Sequence, residues 1–126
     1  MIDLVQLHHV SFATRDLEAS KRFFGGVIGL PEIERPGFGF AGAWYAIGDR
    51  QLHLIQEQGP GPEAKERISR SDHMALEVRD VQAVKKILGD HGVEFTSGGN
   101  QALGMDQVFC RDPDGHVIEF VQYRTS

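Results

Sequence analysis

The chain has 126 residues, 40% hydrophobic and 25% charged, with a formal net charge of −5. That balance is typical of a soluble globular domain able to bury one substantial core. The acidic sign excludes a nucleic-acid binder, whose phosphate contacts need a basic face.

No apolar run approaches the roughly 20 residues of a membrane span, and the first residues lack a basic-then-apolar leader, so the expectation is a cytoplasmic protein with no membrane partner. Cys110 is the only cysteine. An internal disulfide and a cysteine-rich metal site are thereby excluded, and any metal would be held by His and carboxylates.

In chain order, residues 4–14 alternate roughly between polar and apolar and read as a strand. Asp16 is a good N-cap for the helix that follows, with Leu17, Ser20, Phe24 and Val27 as its buried stripe and Phe23 at the margin. Gly25-Gly26 weakens the end of this helix and Gly29 suits its C-cap. Residues 31–48 alternate Gly with Phe, Trp and Tyr, which fits two short strands and a loop, and residues 51–56 read as a strand. A Gly/Pro-rich and then charged stretch, residues 58–71, reads as a linker with one helical turn, too short to separate folding domains.

After the linker the pattern restarts. His73-Met74-Ala75-Leu76-Glu77-Val78-Arg79-Asp80-Val81 repeats the layout of His9-Val10-Ser11-Phe12-Ala13-Thr14-Arg15-Asp16-Leu17, a His heading an alternating strand and an Arg-Asp pair opening a helix. Val81, Val84, Ile87 and Leu88 form the second helical stripe, ended by Gly92. Residues 94–97, 105–111 and 116–123 read as three more strands, the last opened by an Asp114-Gly115 turn. The ends of the halves correspond too, with His53 falling where Glu119 falls. The expected fold is α+β, one domain over residues 1–126 written as βαβββ twice, with modules at about 4–57 and 72–123.

Glu119 shares its strand face with Val117 and Val121, and a carboxylate there needs a partner, since burying it alone costs several kcal/mol. The repeat supplies candidates. Each half offers one metal-competent residue at the head of its first strand and one in the middle of its last: His9 and His53, then His73 and Glu119. Three imidazoles and a carboxylate suit one divalent ion such as Zn, Ni, Mn or Fe. By strand parity His8 and His116 face away from this set, and Cys110 is a small buried hydrophobe. Phe38, Phe40, Trp44, Tyr45 and Met105 are candidates for an apolar substrate pocket, and Glu77 for an acid or base at its edge.

The run Leu7-His8-His9-Val10 with Arg15-Asp16-Leu17, then Ile28-Gly29-Leu30, Gly42-Ala43-Trp44, Gln51-Leu52-His53-Leu54 and Arg111-Asp112-Pro113-Asp114-Gly115 through Ile118-Glu119-Phe120, resembles the vicinal oxygen chelate superfamily. That superfamily includes glyoxalase I, bleomycin-resistance proteins and extradiol dioxygenases. The resemblance implies two βαβββ modules whose sheets form a half-open, barrel-like cavity, in a homodimer. It carries the family's metal positions onto His9, His53, His73 and Glu119, and the role of general base onto Glu119.

Glyoxalase I usually has Glu or Gln where this chain has His53. Its bacterial forms also carry an Arg and an Asn that help hold glutathione, where this chain has Ala13 and Glu57. The expected function is thus a metal-dependent glyoxalase-like lyase or isomerase that chelates two adjacent oxygens of a small-molecule substrate other than glutathione, through an enediolate-like intermediate. The alternatives are an Fe(II) ring-cleaving or other dioxygenase, a drug-binding protein of the bleomycin-resistance kind and, ranked below both, a fosfomycin-type thiol transferase.

Overall fold

A computed structural model describes residues 1–62 and 67–124. It divides into two compact units, Met1–Gly61 and Pro62–Ser126. The helical turn expected in the linker falls on residues 63–66, outside the described residues.

The first unit runs β1 (His9–Thr14), α1 (Leu17–Lys21) continued by a π-helical segment Arg22–Ile28, β2 (Glu32–Ile33), β3 (Gly42–Ile47) and β4 (Arg50–Gln56). Its open sheet has the order β1-β4-β3-β2, with β1 parallel to β4 and the other pairs antiparallel. The second unit runs β5 (Met74–Glu77), α2 (Val81–Asp90), β6 (Phe95–Asn100), β7 (Met105–Arg111) and β8 (Val117–Tyr123), in the corresponding order β5-β8-β7-β6. The protein is therefore α+β, with two four-stranded sheets and no closed barrel.

In each unit one sheet face packs on the helix. In the first unit Leu52, Leu54, Ala43 and Tyr45 are buried on one sheet face, and Phe23 and Phe24 are buried on the helical segment. In the second, Val108, Cys110, Ile118 and Phe120 lie on the sheet face that packs on α2, which buries Val81 and Leu88. Burial pushes the Cys110 thiol up to about 12, which makes it an inert apolar filler. Asp16 and Asp80 cap their helices as read from the sequence, accepting from the backbone N–H of Ala19 at 3.1 Å and of Gln82 at 2.9 Å.

Three local expectations change. The first strand begins at His9 and not at residue 4: the β1–β4 ladder starts at His9 opposite Gln51, and only the His8 carbonyl before it reaches β4, accepting from the Gln51 N–H at 3.3 Å. The first helix widens into π geometry where Gly25-Gly26 loosens the backbone. A Cβ at Gly25 would meet the Tyr45 ring at 3.3 Å, and Phe23, expected at the margin, is buried edge to face against Phe24 at 5.0 Å. The β7–β8 connection is longer than a two-residue hairpin. Buried Asp112 organises it, its Oδ1 accepting from the backbone N–H of Asp114 (3.0 Å) and His116 (2.7 Å), while Gly115 takes the positive φ of 96°.

Candidate metal centre

The sheet faces turned away from the helices carry the chemistry. In the first unit, register places Trp44 and Ser11 on either side of His53, with His9 opposite Gln51, so all of these share one face. His53 is sandwiched: the Trp44 ring stacks on it at 4.0 Å and 3° between planes, and the His9 ring at 4.1 Å and 17°. His53 Nε2 lies 2.8 Å from Gln51 Oε1, so this nitrogen carries the proton if the amide oxygen is the acceptor, and Nδ1 keeps its lone pair. Burial first, then the neighbouring His9, His8 and Arg35 charges, holds the His53 imidazole below its ordinary range. A ligand imidazole must be neutral, and His53 meets that condition at neutral pH.

His8 does not turn away as parity suggested. It precedes β1, so strand alternation does not govern it, and its Nδ1 sits 2.9 Å from His9 Nδ1.

In the second unit, Glu119 lies between Val117 and Val121 on β8 and is 6% exposed. Its partners belong to this unit. His73 Nε2 is 3.0 Å from Oε1, and Gln107 Nε2 donates to Oε2 at 3.3 Å. Gln107 has no counterpart in the sequence reading, although its parity with Phe109 on β7 marks it for this face. His73 Nδ1 lies 3.1 Å from the Ser71 carbonyl, to which it can only donate; that hydrogen bond fixes the ring and directs Nε2 toward Glu119. The His73 ring also meets Phe109 edge to face at 5.7 Å, and Phe109 pairs across the ladder with Glu119 as Trp44 does with His53. Each half thus presents two donor side chains backed by an aromatic ring.

The other sequence candidates separate. Phe38 and Phe40 stack on each other at 5.5 Å, 46% and 50% exposed, and Phe38 leans on Trp44 at 6.0 Å. Arg35 lies 5.0 Å over each of the two Phe rings and donates from Nη2 to the Phe40 carbonyl at 2.9 Å; a Cβ at Gly42 would meet its guanidinium at 3.0 Å. Tyr45 is on the helix side of β3, fully buried, its hydroxyl pushed up to about 12 by that burial with Glu32 and Glu18 nearby. It cannot line a pocket with Trp44, its neighbour on the opposite face. Met105 is half-buried on the Gln107 face of β7, and Glu77 is exposed at the end of β5.

A further group was missed by sequence reading: Asp112, Asp114 and His116 offer ligand atoms all within 4.8 Å of one another. Both Asp112 oxygens are already used in the turn, Oδ2 by His116 Nδ1 at 2.8 Å, so hydrogen bonding accounts for this cluster without an ion.

The sequence profile described as the Glyoxalase/Bleomycin resistance protein/Dioxygenase superfamily matches residues 6–120. The chain is 33% identical to "Glyoxylase I 4" of Arabidopsis thaliana, covering 94% of this chain and 71% of that protein. It is 25% identical to a lactoylglutathione lyase of Haemophilus influenzae, over 97% and 96% of the two chains. A crystal structure assigned to the glyoxalase family from Bacillus anthracis superposes with a TM-score of 0.78 at 26% identity, over 98% of this chain and 100% of the other.

Proposed function

The chain belongs to the glyoxalase/bleomycin resistance protein/dioxygenase superfamily, and from that premise we propose that it is a metal-dependent glyoxalase-like lyase or isomerase. Its substrate is a small molecule with two adjacent oxygens, and His9, His53, His73 and Glu119 hold one divalent ion. The observation that carries this reading is the His73–Glu119 pair: a buried carboxylate 3.0 Å from an imidazole nitrogen whose ring is fixed from behind by Ser71.

A bound ion supplies Lewis acidity toward the substrate's paired oxygens. The protein's own part is proton transfer. Glu119, held by Gln107 at Oε2 and facing His73 Nε2 at Oε1, is the group that takes a proton from the carbon next to a carbonyl and returns it to the neighbouring position. Val117 and Val121 flank that carboxylate on β8 and Phe109 pairs with it from β7, so it is buried. The enzyme works as a cytoplasmic homodimer. Ala13 and Glu57 stand where bacterial glyoxalase I contacts glutathione, so the substrate differs from that of the lactoylglutathione lyases.

Elemental analysis tests the metal. Purified protein is expected to take up close to one divalent ion per chain, and Glu119→Gln to lose about a hundredfold or more of any proton-transfer activity. A protein that accepts none of Ni, Zn, Mn or Fe sinks the reading.

One observation favours a second function. His53 Nε2 is held by Gln51 and the ring is clamped between Trp44 and His9. If that hold persists with metal bound, His9, His73 and Glu119 alone form a two-His, one-carboxylate set suited to Fe(II) and dioxygen. Oxygen uptake by the Fe(II)-loaded protein with a catechol distinguishes it from the lyase.

A further inference from the structure

Arg70, linked to Glu119 through Gln107, has no part in the fold or in the proposed metal site. It precedes β5 and is exposed, and its guanidinium crosses the β6–β7 ladder to lie 4.8 Å over the Phe109 ring. Phe109 is the ring that also touches His73.

One Arg70 nitrogen, Nη2, donates to Gln107 Oε1 at 3.3 Å, and the amide nitrogen of the same Gln107 donates to Glu119 Oε2. Two hydrogen bonds thus connect the guanidinium to the carboxylate proposed as base. Its path exists because β6 has a glycine: a Cβ at Gly98 would stand 2.2 Å from Arg70 Nη2. Among the described residues Arg70 has no carboxylate partner, in a chain where acids outnumber bases 18 to 13. A planar fork stacked on an aromatic ring, oriented from one side and facing solvent with its remaining donors, is the arrangement that receives a carboxylate in two parallel hydrogen bonds.

We propose that Arg70 recognises the charged end of the substrate, which is therefore a vicinal-oxygen compound bearing a carboxylate beyond its chelating oxygens. This rests on the metal-site reading: the ion fixes the adjacent oxygens, and Arg70 fixes the tail on the Glu119 side.

Hydroxamates chelate a metal through two neighbouring oxygens and serve as probes. Succinic monohydroxamic acid and its amide share the chelating group and differ only in a terminal carboxylate or carboxamide. Their dissociation constants are measured by calorimetry on Zn-loaded protein, after elemental analysis has recorded metal content. The wild type is expected to bind the acid at least about tenfold more tightly than the amide. Arg70→Met should bring that ratio to about one with metal content unchanged, and Arg70→Lys should keep part of it. Gly98→Ala, which displaces only the flexible end of the Arg70 side chain, should lower the ratio without unfolding the protein.

Equal affinities in the wild type, a preference that survives in Arg70→Met, or a parallel loss of both chelators in Arg70→Met, as expected of a mere support for Gln107, each overturn the proposal. Failure of the metal site shows separately, as no metal uptake before any chelator is added, and removes this inference with it.

Discussion

His53 concentrates the competing forces at this centre. Stacking against Trp44 at 4.0 Å favours an imidazolium, because the indole face attracts a cation. Burial and the adjacent His9 and His8 oppose it, and the net direction is downward from 6.5. In the unfolded chain this histidine protonates near about 6.5; in the folded protein it does so only at lower pH. The stability tied to the neutral ring is therefore fully present above about pH 6.5 and lost as pH falls through the folded value. Trp44, the only tryptophan, reports the event directly, since an imidazolium in van der Waals contact quenches indole emission. Metal-free protein should lose Trp44 emission with a midpoint below 6.5, and His53→Gln should abolish the step and flatten the decline of Tm between about pH 7 and pH 5. A midpoint above 6.5 contradicts the burial argument.

Among the elements, the β7–β8 turn shows how a metal-like cluster arises from hydrogen bonding alone. Asp112 is buried and accepts two backbone N–H bonds and one from the His116 ring. Asp112→Ala should cost about 3 kcal/mol, read by urea denaturation, because it leaves buried donors unpaired. Metal content of the folded fraction should not change; loss of the ion there, with Glu119→Gln still loaded, would falsify the assignment of the metal to the strand faces.

Strand periodicity made the sheets legible from residues alone. Alternation put Glu119 between two valines and separated it from Ile118 and Phe120, as the structure has it. The same rule places Tyr45 opposite Trp44, and grouping those two ignored it. What had no sequence signal was contact between elements. Gln107 reaches Glu119 from another strand, Arg70 comes from a linker with no period to read, and the Tyr45 ring from β3 lies close against Gly25 in the π segment.

At the scale of the molecule, the repeat is also a chemical correspondence. His53 and Glu119 occupy the same place in their sheets, each beside an aromatic ring on the antiparallel neighbour, Trp44 for one and Phe109 for the other. The proposed function needs both pairs of donors on one ion, since two donors alone are a weak site for a divalent ion. If a single ion draws on both pairs, its binding seen in one half must depend on a residue of the other. Titrating metal-free protein with Zn should change Trp44 emission in the first unit, and Glu119→Gln, in the second, should weaken that response by about tenfold or more. Saturating ion, at about 100 times its dissociation constant, should also stabilise the wild type by about 2.7 kcal/mol, and the variant by much less at the same concentration. Independent half-sites predict the opposite: a Trp44 response in Glu119→Gln with the wild-type midpoint, and two ions per chain by elemental analysis.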